Sequence, residues 1–504
     1  MSRMIKGAPL LFVKVEKLAV TPIYRQIEGQ IRNAILTGII KPGLRLPASR
    51  VLARDIGVSR PTIVQVYEYL SFEGFLETRR GAGTFVSRTL PNYIPPKSIQ
   101  QESTELRNNP ATNPLSIIGA KFADLKPSMN RAPFAAFLPN VPAFDQFPIS
   151  RWQKIRSRCL RLNRTNLLGY EDSAGFMPLR CSIAEYLAVH RGDHCNPEQI
   201  LIVPGATFAF HLAVMLLTNP GDKVWLEDPG PDGVRLMLKT LGRKVINLDV
   251  ERDGMDVMGG ISKHGDARLA FTMPSRQHPL GVTLSLTKRL TLLDWAQKNK
   301  SWIIEDDYDS EFRYSGRPLA SMRSIDTTKS VIYVGTFSKS LFPSLRIGYL
   351  VLPESLIRAF RNATGTMARS VSTLDQATLA QFITEGHFSA YIRQMHSLYS
   401  SRRVLFTELA KQKLSGLLDV EVPDSGMNAI GWLPLGTNDT AICEKLRDAG
   451  LYTFPLSLFR DRPSNRAGLV MGFAGTNEVE MRKKIALLAA VLENSDISQC
   501  MENS

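Results

Sequence analysis

Lys339 lies in the stretch Gly335-Thr336-Phe337-Ser338-Lys339-Ser340-Leu341-Phe342-Pro343-Ser344-Leu345-Arg346-Ile347-Gly348, between the apolar runs Val331 to Val334 and Ile347 to Leu352. A lysine amine attacks an aldehyde only when part of its population is neutral, a condition that burial or a nearby cation imposes. Arg346, seven residues on, is such a cation. Thr336, Ser338 and Arg346 also suit a phosphate, because hydroxyls and a guanidinium make charge-assisted hydrogen bonds to its oxygens. An aldehyde and a phosphate on one ligand describe pyridoxal 5′-phosphate. Taken alone, Ser-Lys with a downstream arginine is also a common surface pattern.

A second segment narrows the choice. Trp302-Ile303-Ile304 is a short apolar strand that runs into Glu305-Asp306-Asp307-Tyr308-Asp309. Parallel α/β sheets put their chemistry at the carboxyl ends of strands, and a carboxylate there can pair with a protonated pyridine nitrogen and keep the ring an electron sink. A solvated acidic turn would look the same if the segment stood alone. Upstream, Leu201-Ile202-Val203 ends in Pro204-Gly205-Ala206-Thr207, followed by a helical pattern from about Phe208, so free amides at that helix start could hold an anion.

The elements that must position these groups alternate. Val224 to Glu227, Val245-Ile246, Leu269 to Thr272 and Val331 to Val334 are further strands separated by helical stretches, the pattern of a mostly parallel, helix-covered sheet. Residues from about 355 to 490 hold more helix and fewer strands and form a smaller lobe.

At 504 residues the chain exceeds one core and divides into two or three domains. Its net charge is +15, and residues 1–88 hold 14 Lys and Arg against 6 Asp and Glu, so over half the excess sits in under a fifth of the chain. Such a balance implies a polyanionic partner, nucleic acid or an acidic surface. With no long apolar run and no secretory leader pattern, a cytoplasmic location is expected and a membrane span is not. Cys159, Cys181, Cys195, Cys443 and Cys500 are scattered and odd in number, which points to reduced thiols. His190, His194 and Cys195 read as a helix end and polar turn, so no metal site is expected.

The basic segment has its own organisation. Thr21-Pro22 opens a helix with Ile23, Ile27, Ile31 and Ile35 on one face; a second holds Leu46, Val51, Leu52 and Ile56; Ser59 caps a third with Ile63, Val66, Tyr67 and Leu70 inside. Three short helices joined by tight turns suggest a helix-turn-helix unit. Arg60, Thr62, Gln65 and Tyr69 project from the third helix as a recognition helix would present them to base edges. Arg45, Ser49 and Arg50 sit where a preceding helix meets phosphates. Phe75 to Glu77 and Gly83 to Val86 flank Arg79-Arg80-Gly81, a two-stranded wing with a basic tip. Residues 89–130, rich in Pro, Gln, Ser and Asn, read as a linker.

IIEDDYDSEFRY followed by GTFSKSLFPSLRIGYLV resembles the MocR/PdxR group of bacterial transcription regulators, and LPASRVLARDIGVSRPTIVQVYEYLSFEGFLETRRGAGTFV resembles the GntR winged helix. The resemblance covers nearly the whole chain. It implies a winged helix-turn-helix at 18–88, the linker, and a class I aminotransferase fold (α/β, fold type I) with its large domain at 131–354 and small lobe at 355–492. By the same resemblance Lys339 is the Schiff-base lysine of pyridoxal phosphate, Asp306 faces the pyridine nitrogen, and Tyr308 hydrogen-bonds the ring hydroxyl. Gly205, Ala206, Thr207, Thr336, Ser338 and Arg346 cradle the phosphate, and Tyr170 matches the tyrosine lent to a partner subunit. Arg45, Ser49, Arg50, Ser59, Arg60, Thr62, Gln65 and Gly81 contact double-stranded DNA, and a homodimer is implied.

Three segments depart from the family pattern. Pro231 stands for a common tyrosine, Arg276 and His278 for a histidine and an aromatic, and Leu458 for the arginine that grips an α-carboxylate, with Arg460 as a candidate substitute. The ring-binding positions are kept while those for an amino acid look weakened. The expectation is a regulator that senses the cofactor or an amine or amino-acid effector; a working aminotransferase with a DNA-binding head, or a dimerisation scaffold, are the alternatives.

Overall fold

The computed structural model describes residues 13–16, 19, 21–79, 81–89, 115–123, 135–162, 167–169, 172–316, 319–367 and 371–495. Tyr170, Arg80 and most of the expected linker lie outside the described residues. The chain forms two units, Met1–Pro114 and Leu115–Ser504, and a short helix, Ile117–Ala123, lies inside the stretch read as linker.

The first unit has helices α1 (Ile23–Leu36), α2 (Ser49–Ile56) and α3 (Arg60–Phe72), then the antiparallel pair β1 (Leu76–Arg79) and β2 (Gly83–Val86). Its core gathers Ile27, Ile31, Ile35, Leu46, Leu52, Ile63, Val66, Leu70, Phe75 and Val86, the residues that helical and strand spacing place on one side. The start of α1 differs from expectation. Pro22 is the N-cap and makes no side-chain cap; Thr21 instead offers its carbonyl to Gln26 Nε2 at 2.7 Å. Ser59 does cap α3, accepting from the Thr62 amide at 3.4 Å, and Gly57 ends α2 at φ 70°, a left-handed turn suited to glycine.

In the second unit an eight-stranded sheet runs β3 (Ile200–Val203), β10 (Gly348–Val351), β9 (Val331–Thr336), β8 (Trp302–Asp307), β7 (Leu269–Thr272), β4 (Lys223–Asp228), β5 (Lys244–Glu251), β6 (Gly254–Met255). The strands from β9 through β5 pair in parallel, whereas β10 is antiparallel to both β3 and β9. Val224 and Leu226 pack on one face with Leu201, Phe271 and Ile304. Trp225 between them packs on the other face, stacked on Trp295 at 4.0 Å. Burial on both faces explains why these strands read as unbroken apolar runs. A second, antiparallel sheet, in the order β11 (Asp419–Glu421), β12 (Asn428–Trp432), β14 (Gly468–Gly472), β13 (Phe454–Pro455), carries the helices His387–Lys413, Asp439–Asp448 and Glu478–Glu493. No helix among the described residues is long and apolar enough to cross a membrane.

Candidate functional site

Adjacent strand ends bring the chemistry-bearing residues together. Pairing of β8 with β9 sets Asp306 beside Val334 and Asp307 beside Gly335, so the acids and the Lys339 segment leave the sheet side by side. β10 then returns antiparallel, with Gly348 opposite both Thr336 and Val203. That return carries Arg346 to the start of the helix Ala206–Leu217, where a Cβ on Gly205 would lie 3.6 Å from the guanidinium carbon. Gly205, at φ 85°, is the N-cap and has no side-chain cap, so the first amides of the helix have no intrahelical acceptor. Gly348 packs against the same turn: a Cβ there would stand 2.9 Å from the Gly205 carbonyl carbon and 3.0 Å from the Ala206 nitrogen.

Thr207 and Arg346 are exposed, while Ala206, Thr336, Ser338 and Lys339 are half-buried. Arg346 is held at φ 52°, in the left-handed region, and donates from Nη2 to the Pro204 carbonyl at 3.3 Å. Thr336 Oγ1 accepts from the Ser338 amide at 3.2 Å. Lys339 Nζ donates to the Asn140 carbonyl at 3.2 Å. Asn140 in turn exchanges bonds with Asn428, amide to Oδ1 at 2.8 Å and Nδ2 to Oδ1 at 2.7 Å. This asparagine pair joins residues 288 positions apart, and nothing in the local sequence pattern marks it.

Asp306 is buried, and its Oδ1 has no hydrogen-bond partner among the described residues. Burial, then the like charges of Asp307, Asp309 and Glu227, push its carboxyl well above the usual range, and Lys339 opposes the shift. Buried carboxylates are ordinarily paired, so an oxygen left in this state suits a cationic or N–H-bearing ligand. Tyr308 is buried beside it, its hydroxyl accepting from Arg276 Nη1 at 2.6 Å. His278, close to Tyr308 and edge-on to Phe459 at 4.9 Å, is held neutral: burial, then Arg276 and Lys339, lower its pKa to about 3. Glu227 accepts from Thr272 Oγ1 at 2.8 Å, and burial raises it to about 7. Behind these, Asp307 forms an ion pair with Arg191 at 2.9 Å and accepts from the Tyr333 hydroxyl at 2.6 Å, which fixes the strand end the site is built on.

At the position expected to lack the arginine grip, Arg460, the candidate substitute, has a buried Nε with no hydrogen-bond partner among the described residues. Leu458 is exposed. Arg460 lines a cavity of about 330 Å³ with Thr437, Thr440, Ser457 and Arg462. No cluster of His, Cys, Asp or Glu suited to a metal occurs among the described residues.

In the first unit Arg50, Ser59, Arg60, Gln65 and Gly81 are exposed and Arg45, Ser49 and Thr62 half-buried. Ser59 Oγ and Thr62 Oγ1 lie 2.7 Å apart. Arg45 packs over the wing, 3.0 Å from where a Cβ on Gly83 would sit. Tyr69, expected on the outer face of α3, stacks on Tyr24 at 6.2 Å with Arg25 over both rings.

Residues 140–485 match the family model "Aminotransferase class I and II", and residues 23–86 match "Bacterial regulatory proteins, gntR family". The chain is 36% identical over 473 residues to the probable rhizopine catabolism regulatory protein MocR of Rhizobium meliloti, with 94% of each chain covered. It belongs to the MocR subfamily of GntR-type regulators. Another MocR-type relative is the pyridoxine biosynthesis transcriptional regulator PdxR of Corynebacterium glutamicum, 27% identical over 92% of this chain and 95% of that one. Among solved structures, a multiple substrate aminotransferase from Thermococcus profundus superposes with a TM-score of 0.68 at 25% identity, covering 75% of this chain and 97% of its own. The α-aminoadipate aminotransferase LysN of Thermus thermophilus, at 22% identity and a TM-score of 0.69 over 76% of this chain and 98% of its own, shares the fold.

The residues present in this MocR-type chain fit pyridoxal 5′-phosphate. Asp306 offers a buried unpaired oxygen for the pyridine N–H, Lys339 a primary amine for the aldehyde, and Gly205, Ala206 and Arg346 a cradle for the phosphate. When bound, the group would supply an electrophilic carbon and a ring that delocalises electron density. The chain's own part would be to hold and orient: Asp306 would keep a proton at the pyridine end, His278 and Phe459 would line the site with neutral surface, and Arg346 would fix the anionic end.

Proposed function

We propose that this protein is a DNA-binding transcription regulator that holds pyridoxal 5′-phosphate on Lys339 and senses the cofactor, or an amine or amino-acid effector that reacts with it. The observation that carries the reading is the unpaired, buried Oδ1 of Asp306 on the strand next to the one that leads into Lys339. A structural scaffold has no use for a carboxylate kept dry and unsatisfied, whereas a pyridine nitrogen compensates it. Leu458, exposed and apolar where an arginine is common, supports sensing over turnover, because transamination needs the amino acid held with its Cα proton toward the lysine.

The head at 18–88 reads DNA through Arg60, Thr62 and Gln65, with Arg45, Ser49, Arg50, Ser59 and Gly81 on the backbone. Residues 89–130 link it to the aminotransferase-like part, whose large domain is 131–354 and small lobe 355–492. A homodimer, completed at each phosphate site by the partner's Tyr170, would present two heads to paired half-sites. Ligand then shifts the domain arrangement and, by linkage, DNA affinity.

Borohydride reduction of the purified, cofactor-loaded protein followed by peptide mapping tests the first step: a pyridoxyl adduct on Lys339 is expected, and an unmodified Lys339 refutes it. Operator binding that is identical with and without saturating cofactor and candidate amines refutes sensing. The second reading, a working aminotransferase, is favoured by the intact ring-binding set and predicts repeated turnover of an amino acid with a keto acid.

A further inference from the structure

Arg276 stands where a histidine is the common residue in this group, and the structure puts it to unusual use. It is 2% exposed, and its donors reach in two directions. Nη1 donates to the Tyr308 hydroxyl at 2.6 Å and to Asp309 Oδ2 at 3.0 Å, both on the segment leaving β8. Nε donates to the Ser425 carbonyl at 2.9 Å and Nη2 to the Asn428 carbonyl at 3.4 Å, at the start of β12 in the second sheet. The backbone makes room for this. Gly426, at φ 78°, would place a Cβ 2.0 Å from Arg276 Nε. The segment around it is pinned to the chain after β8 by the Gly426 amide on the Phe312 carbonyl at 2.6 Å, the Tyr314 amide on the Asp424 carbonyl at 2.9 Å, and the Tyr314 hydroxyl on the Gly426 carbonyl at 2.7 Å.

A guanidinium has donors and no acceptor. In its bond to Arg276 the Tyr308 oxygen therefore accepts, and the phenol's own proton is left to be donated elsewhere. With four of its contacts already made inside the protein, the arginine is not an open grip for a ligand carboxylate. Arg276 meets a ring hydroxyl, a carboxylate and two carbonyls in one plane-and-fork arrangement that a lysine cannot reproduce.

We infer that Arg276 is a positioning residue: it orients the Tyr308 hydroxyl as a hydrogen-bond donor toward the ring site, and ties that hydroxyl to the second sheet through Ser425 and Asn428. The inference deepens the proposed function and rests on it, since Tyr308 is read there as the partner of the ring hydroxyl. A ligand that alters the demand on Tyr308 is thereby felt at residues 425–428 without any contact of its own with that sheet.

The test uses the full-length, cofactor-loaded protein with two readouts, the visible absorbance band of the Lys339-bound cofactor at one fixed pH and hydrogen exchange at the Gly426 and Tyr314 amides. Arg276→Met is expected to move the band in the direction that Tyr308→Phe moves it, with no further movement in the double variant, and to speed exchange at both amides by about tenfold. Because Arg276→Met leaves Asp309 buried without its partner, Arg276→Lys and the paired Arg276→Gln with Asp309→Asn are measured beside it. Both keep the local charge balanced while losing the fork, and both are expected to show the band movement and the faster exchange. A wild-type band in Arg276→Lys and in the paired variant, or an Arg276→Met effect that adds in full to that of Tyr308→Phe, overturns the inference alone. A wild-type protein that takes no cofactor on Lys339 sinks the proposed function and this inference with it.

Discussion

Replacing Asp306 by Asn separates a ligand-holding carboxylate from a structural one, because the two roles give opposite signs. Asp306 is buried with Oδ1 unpartnered, and burial together with Asp307, Asp309 and Glu227 disfavours its charged form. In ligand-free protein, removing the ionisable group therefore relieves a cost. The amide keeps a buried polar oxygen, so the relief comes from the charge: each pH unit by which burial raises the carboxyl costs about 1.4 kcal/mol at neutral pH, and Asp306→Asn should raise the ligand-free melting temperature by a few degrees. With cofactor present the sign reverses. A charge-assisted hydrogen bond contributes about 1.5–3 kcal/mol, so cofactor affinity should fall by roughly ten- to a hundredfold. Wild-type protein at a cofactor concentration a hundred times its Kd gains about 2.7 kcal/mol, and the variant should lose most of that gain. The assay is thermal unfolding of both proteins across a cofactor titration, and the two curves should cross. A variant less stable than wild type without ligand, or equally stabilised by it, would refute the reasoning.

Three further outcomes are expected. Burial holds Glu227 at about 7, so the folded protein keeps a proton that the unfolded chain releases near 4.5, and stability falls as pH rises between those values; Glu227→Gln should remove one proton's share of that slope, about 1.4 kcal/mol per pH unit, in denaturant titrations at several pH values. Arg45→Ala should weaken binding to all DNA sequences and lower the salt slope by about one, whereas Arg60→Ala should also blur sequence preference by about 1–3 kcal/mol, read from binding to operator and scrambled duplexes at several salt concentrations. Gly348→Ala, whose new Cβ would meet the Gly205 carbonyl carbon at 2.9 Å, should push β10 from the helix start and weaken cofactor binding, seen as faster cofactor loss on dialysis with the far-ultraviolet spectrum unchanged.

What could be read without coordinates was local. Lys339 and Arg346 share one loop, Gly205 stops one element and starts the next, and Ile27, Ile31 and Ile35 repeat at helical spacing, so their neighbourhoods are written in adjacent letters. The helix start was read two residues late, at Phe208, because Ala206 and Thr207 carry no strong cap. The run Ile347 to Leu352 was visibly apolar, but its antiparallel place beside β3 depends on pairing across more than a hundred residues. Asn140 with Asn428, and Arg276 with Ser425, are tertiary meetings of polar residues with no period to betray them. Tyr69 is exposed, where helical geometry alone places it; its stack with Tyr24 follows from how α1 lies on α3.

The connection between β9 and β10 carries the amine at one end and the cation at the other, and both flanking strands are locked in register by their neighbours. The span between the two ends of whatever molecule sits there is thus a ruler cut by the sheet itself. Insertions in the wing tip or the stretch between the units can accumulate without disturbing that gauge, but a single residue added between Thr336 and Gly348 would leave the lysine and the arginine measuring different molecules.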